Sequence, residues 1–362
     1  MPRNAWITKP QTRDIAILYD LYQYRILTTE QIKRMYFPNS KRYVDEKLRA
    51  MRNSQLISTF TQKRPGRKGY ACHRILQKGL DLLKEKGYDI QYKPSDLTVN
   101  ANARPYVLAT NDIMTHITSY GWFMKDSRQV KREYGLNSGD QIHGSIVSPE
   151  GTEYGLFVLE QDTLVKNLAK VVYEIRTTSK KDVGLTDFII FAKGQASIDH
   201  FIELANTEKR DHQGKPIQKK LRPSGALCVM HLDHGIDYLK SKLSDKGYFE
   251  SIFKIPKAPV HWLAPSNKIG FECIAEYQGE EVYIVNMLDT DLTKVDAIIG
   301  YLEDRKRMER FGEKIRKVLI VTEENLKGFH KELIGQNQNI AYFVLEHQKI
   351  TSSFRPKTER GA

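Results

Sequence analysis

The chain has 362 residues, 40% of them hydrophobic and 28% charged, enough to bury several cores and too many for one ordinary domain. Lys and Arg number 57 against 44 Asp and Glu, a net charge of +13 that carries meaning only where it clusters. Three scattered cysteines (Cys72, Cys228, Cys273) form no CxxC, which excludes a disulfide framework and leaves a zinc site without support. No run of eighteen apolar residues occurs and the first residues lack the apolar core of a secretion signal, so a cytoplasmic protein with no membrane partner is expected. The common phosphate-loop, dinucleotide, zincin and serine-hydrolase motifs are all missing.

From Thr12, Ile15, Leu18, Leu21 and Tyr22 fall on one helical face. After a bend at Ile26 and Leu27, Thr28 is placed to cap a second helix, with Gln31 completing a capping box. Ile32, Met35 and Tyr36 form its apolar stripe, and Pro38-Asn39 break the chain. Ser40 then precedes a third helix with Val44, Leu48 and Met51 inward. The period next changes to that of strands: Leu56 to Gln62 and Tyr70 to Leu76 flank a turn built on Pro65, Gly66 and Gly69, and a helix follows Gly79. Helix, helix, helix, strand, basic turn, strand, helix is the order of a winged helix-turn-helix.

Charge sharpens this reading. From Gln31 to Lys68 there are eleven cations and only two anions, Asp45 and Glu46. Opposite its apolar stripe the third helix projects Arg42, Glu46, Arg49 and Asn53, with Lys41 at its start. Arg suits guanine, Asn adenine and Glu cytosine, so this face fits base reading in a major groove. Lys63, Arg64, Arg67 and Lys68 on the turn suit phosphate contacts. A solvated basic face or a protein-docking module is the alternative, and the clustering favours double-stranded DNA over it.

Residues 89–105 are polar, with two prolines, and read as a linker. Beyond them helices and strands alternate: a helix from Val107 to Phe123, strands at Gln141 to Val147 and Tyr154 to Gln161, a helix from Leu164 to Tyr173, then DFIIFA, SIDHFIELA and ALCVMHL as strand, helix and strand. The pattern recurs from Lys268: two strands across a Gly-Glu turn, a helix from Leu292 to Arg305, KVLIVT, ENLKGFHKELI and IAYFVLEH. Asp162-Thr163 and Asp289-Thr290 stand at matching points, 127 residues apart, so a tandem repeat is one reading and two unrelated units the other. The expected architecture is α+β and multidomain: 1–88 the winged helix, 89–105 a linker, 106–245 one α/β unit, 246–347 a second, and 348–362 a basic disordered tail.

The runs TRDIAILYDLYQYRILTTEQIKRMYF and KLRAMRNSQLIS, the basic turn and LQKGLDLL resemble the replication-relaxation proteins of Gram-positive plasmids and conjugative elements. The resemblance covers about residues 12–86 closely and 107–205 loosely. It implies a winged helix followed by a domain like a degenerate PD-(D/E)xK nuclease. It also implies action on double-stranded DNA at an origin or transfer site, with a relaxase or replication initiator as a partner. By its own residues, such a nuclease needs two acids on adjacent strands for Mg²⁺ and a Lys to orient water. Asp140 and Glu160 fit the acids, but Asp162 stands where the Lys belongs, with Lys166 or Lys170 as substitutes. The expectation is a DNA-binding protein without catalysis, metal or cofactor. A Mg²⁺-dependent nuclease using Asp140, Glu160 and Asp162, or a winged-helix transcriptional regulator, is the alternative. Cys228, His231 and His234 carry donor atoms, but alternate strand residues point opposite ways, which argues against zinc. Trp122 and Trp262 read as packing residues.

Overall fold

The structure is a computed structural model. It describes residues 6–40, 42–64, 67–161, 163–180, 184–253, 271, 273–310 and 314–357. The fold is mixed α+β and divides into two compact units: residues 1–126 with 357–362, and residues 127–356. No helix among the described residues is long and apolar enough to cross a membrane.

The first unit runs α1 (Thr12–Tyr24), β1 (Leu27–Thr28), α2 (Thr29–Tyr36), α3 (Tyr43–Asn53), β2 (Ile57–Arg64), β3 (Arg67–Ile75), α4 (Gln77–Glu85), α5 (Arg104–Ile117) and β4 (Phe123–Asp126). β2 and β3 form an antiparallel hairpin, and β1 adds to the other side of β3 through Leu27↔His73 and Thr28↔Cys72. The expected stripe of α1 is buried at Ile15, Leu18, Leu21 and Tyr22. Thr28 caps α2 as the sequence requires: its hydroxyl accepts from the Gln31 N–H, and the Gln31 side chain accepts from the Thr28 N–H. Gly79 in α4 is a close-approach position, since a Cβ there would stand 2.5 Å from the Leu56 carbonyl.

Two segments assigned elsewhere from the sequence pack into this unit. Residues 89–105, expected as a linker, bury Leu97 and Val99 and donate the Gln91 N–H to the Tyr22 hydroxyl. α5, expected at the start of the next domain, sends Asn111 to the Tyr24 and Ile26 carbonyls (3.1 and 2.6 Å) and receives Gln31 on the Leu108 carbonyl. Asn111 thus donates to the Tyr24 carbonyl at the end of α1 and to the Ile26 carbonyl just beyond it, across 87 and 85 residues of sequence. No local pattern reveals such a bond.

The second unit holds α6 (Ser127–Glu133), β5 (Gly144–Val147), β6 (Glu153–Leu159), α7 (Val165–Thr178), β7 (Asp187–Ala192), α8 (Gln195–Asn206), the hairpin β8–β9 (Lys209–Arg210, Pro216–Gln218), β10 (Leu227–His231), α9 (Leu232–Lys240) and α10 (Lys246–Ser251). It continues with β11 (Cys273–Tyr277), β12 (Glu280–Asn286), α11 (Leu292–Arg310), β13 (Lys317–Glu323), α12 (Glu324–Ile334), β14 (Ile340–Leu345) and α13 (His347–Ser352). β5 and β6 are antiparallel, and β6, β7 and β10 run parallel in that order. β11 and β12 are antiparallel, and β12, β13 and β14 run parallel in that order. Over these four strands the two halves share order and direction, and the first carries the β8–β9 hairpin inserted before its last strand.

The halves form one body through buried polar contacts. Asp291, 4% exposed, accepts the Leu227 N–H, and Val229 donates to the Thr290 carbonyl. Burial and the neighbouring Asp289 charge raise the Asp291 pKa. Asp289 is paired with Lys294 at 3.0 Å. His330 lies between the Thr290 and Thr322 hydroxyls, and burial holds its pKa down to about 3. The segment expected as a disordered tail begins with α13, buries Ile350 and pairs Arg355 with Glu150 at 2.8 Å. Residues 358–362 lie outside the described residues.

Candidate nucleic-acid interface and acidic site

Helix α3 is built for one buried and one exposed face. Val44, Leu48 and Met51 are 2%, 3% and 0% exposed, while Arg42, Glu46, Arg49 and Arg52 are exposed. Burial of three such side chains stabilises the helix by about 2 kcal/mol each, far more than its propensity supplies. Ser40 accepts the Tyr43 N–H at the helix start, although Arg42 is the N-cap residue. Asp45 and Glu46 in the first turn complement the helix dipole.

Three of the cations in the basic segment are already used. Lys47 pairs at 2.9 Å with Asp14 of α1, a carboxylate with no exposed side-chain surface. Arg34 pairs with Asp112 of α5 at 2.8 Å, and Lys33 lies 3.9 Å from Glu30. Arg42 and Arg49 have no carboxylate partner among the described residues. Of the residues placed on this face from the sequence, Arg42, Glu46 and Arg49 are exposed. Asn53 is half-buried, and the exposed Arg52 takes the outer position instead. Arg52 was missed because position 53 completes the i, i+4 series from 49, while the helix ends there.

On the hairpin, Lys63 and Arg74 are exposed, and Arg64 and Arg67 are register partners at the tip. The side chains of Arg64, Arg67 and Lys68 lie outside the described part, as does Lys41 entirely. Beneath the hairpin His73 is 3% exposed, with its ring nitrogens 2.9 and 2.8 Å from the Thr29 and Thr59 hydroxyls. Burial, with the Arg52 charge adding, lowers its pKa to about 4, so it is a neutral packing group rather than a phosphate ligand.

In the second unit the expected acids have other partners. The Asp140 carboxylate accepts the Asn137 N–H at 2.7 Å, closing the turn before β5. Glu160, just past β6, pairs with Lys193 at 2.6 Å. The parallel register Leu159↔Ala192 sets positions 160 and 193 side by side, so the cation comes from the end of β7 and not from Lys166 or Lys170 of α7. That register is the signal from which Lys193 was recoverable. Glu174 of α7 accepts the Gln141 N–H on both oxygens (2.7 and 2.6 Å). Burial raises its pKa to about 7, with the Asp140 charge also raising it against the Gln141 hydrogen bond. Asp162 lies outside the described residues. Among the described residues no group of three His, Cys, Asp or Glu is arranged to hold a metal ion.

The three zinc-type donors diverge. Cys228 is buried on β10, His231 contacts Gln195 at 2.7 Å, and His234 lies between Glu323 and the Leu288 carbonyl. Trp122 is buried, as packing requires, and Trp262 lies outside the described residues.

Residues 18–178 match the family model described as replication-relaxation. Neither a curated protein nor a solved structure matches the chain.

Proposed function

We propose, from the match of residues 18–178 to the replication-relaxation model, that the chain is a member of that family and binds double-stranded DNA in the replication or transfer of a plasmid or related mobile element. Residues 12–85 are then a winged helix-turn-helix, with α3 as the recognition helix and the β2–β3 hairpin as the wing. The observation that carries the reading is the exposed face of α3, where Arg42 and Arg49 stand without carboxylate partners among the described residues, opposite a fully buried stripe. An α-helix fits the major groove of B-form DNA, and the narrow major groove of RNA excludes it. The partner protein implied is a relaxase or replication initiator.

The half of the second unit around β5, β6 and β7 is read as a degenerate nuclease-like fold that does not cut. Glu160 is held in an ion pair with Lys193, and position 162 carries a carboxylate where a water-orienting Lys would be needed. The proposal is tested by gel shift of a duplex with the full chain across a salt series. Wild type should bind, with a log–log slope of several units. The double variant Arg42→Ala/Arg49→Ala should lose specific binding while remaining folded. Equal binding by wild type and variant would remove α3 from the interface.

A further inference from the structure

Within the second unit, α7, α8, the β8–β9 hairpin and the segment after it enclose a groove of about 970 Å³. Lys180, Lys209, Lys219 and Lys220 line it and are exposed. No carboxylate is among the described residues that line it. Two arginines stiffen its wall. Arg222 grips Asp296 with both its Nε and Nη2 (2.7 and 2.9 Å), and Arg176 Nη1 donates to the Lys219 carbonyl at 2.7 Å. The second Arg176 nitrogen, Nη2, is buried without an acceptor.

Two large apolar side chains stand among these cations. Tyr173 on α7 is 66% exposed and Ile217 on β9 is 70% exposed, unusual for their types and placed where the cations converge. A phosphate backbone of either form would satisfy the lysines. Only unpaired bases offer flat faces to Tyr173 and Ile217, because in a duplex those faces are stacked on one another. Cations that follow a backbone beside an exposed ring on a rigid helix are what a single strand requires.

We propose that this groove binds single-stranded DNA, with Lys180, Lys209, Lys219 and Lys220 on the phosphates and Tyr173 stacking on a base. The proposal rests on the reading of the chain as a DNA-binding protein but uses a surface distinct from α3. It gives the α/β unit a use for the strand that a replication or transfer event exposes.

The test is fluorescence anisotropy of the full chain with a labelled oligothymidylate, run beside the duplex. Lys180→Ala/Lys219→Ala/Lys220→Ala should flatten the salt dependence for oligothymidylate by about 2 log–log units. Tyr173→Ala should weaken it by roughly tenfold, and Tyr173→Phe should restore it, since stacking needs the ring and not the hydroxyl. Both groove variants should leave duplex affinity unchanged. Arg42→Ala/Arg49→Ala should do the reverse, and a wild-type chain that binds oligothymidylate but not the duplex would count against α3 and not against the groove. Oligothymidylate that fails to bind, or binds equally to the groove variants, would overturn the proposal. Polyglutamate competing as well as oligothymidylate would also overturn it, by showing that the groove reads charge alone.

Discussion

Replacing Lys47 by Met leaves the Asp14 carboxylate buried without its cation, which separates a structural lysine from a DNA-contacting one. Asp14 has no exposed side-chain surface, Lys47 is 11% exposed, and the pair is 2.9 Å apart. Breaking a buried pair from one side costs about 3–5 kcal/mol. Asp14 also accepts the Gln11 N–H at 3.0 Å, which survives the change and favours the low end, about 3 kcal/mol. Asp14→Asn keeps an acceptor for Gln11 and leaves a lysine that can reach toward water, so about 2 kcal/mol is expected. The double variant should lose less than the sum of the two, with a coupling of about 1–2 kcal/mol. Urea unfolding of the full chain, followed by circular dichroism, supplies all four values. Under conditions where Lys47→Met is folded, its salt slope for duplex DNA should equal that of wild type. A loss below about 1 kcal/mol, strict additivity, or a slope reduced by about 0.9 would refute the reasoning and make Lys47 a phosphate contact.

Arg49→Ala should cost ~1–3 kcal/mol of specific binding, concentrated at one base pair of the site in a substitution series; uniform weakening would make Arg49 a phosphate contact instead. Neutralising Arg64, Arg67 and Lys68 together should flatten the duplex salt slope by roughly 2–3 units, measured by titration at several salt concentrations; an unchanged slope would take the hairpin off the DNA. Acid should destabilise the fold through its buried histidines. His73, His143 and His330 are held to about 4, 3 and 3, chiefly by burial, while an unfolded histidine binds its proton near pH 6.5. Their depressed values make the stability complete above pH 6.5 and progressively lost as pH falls toward 4 and 3, with His73 alone worth about 3 kcal/mol across its window. His73→Gln should flatten that dependence in unfolding experiments between pH 7 and 4, and an unaltered dependence would contradict the assignment. Incubated with supercoiled DNA and Mg²⁺ or Mn²⁺, the chain should shift the DNA without nicking it. Nicking that Asp140→Ala/Glu160→Ala abolishes would establish the nuclease.

Elements whose determinants are local were legible in the sequence. α12 runs from Glu324 to Ile334 as its pattern requires, and the Thr28–Gln31 box sits where both residue types place it. α9 was not legible, because Gly235 in its middle argues against a helix. The structure supplies the reason: a Cβ there would come within 2.4 Å of the Phe191 ring, so close packing on β7 outweighs the glycine's cost. The membership of α5 in the first unit depends on Asn111 and Gln31 bonding across more than 70 residues, which no periodicity encodes. On the exposed face of α3 the helical period supplied Arg42, Glu46 and Arg49, and the helix terminus decided between Arg52 and Asn53. The β8–β9 hairpin has strands of only two and three residues, too short to show a period, so the groove it borders had no signature.

The most direct test of the central claim is nuclease-protection footprinting with the full chain on DNA of the element that carries its gene. The account predicts a discrete protected segment in wild type that disappears with Arg42→Ala/Arg49→Ala while circular dichroism stays unchanged. No discrete protection, or the same footprint from the variant, would contradict it.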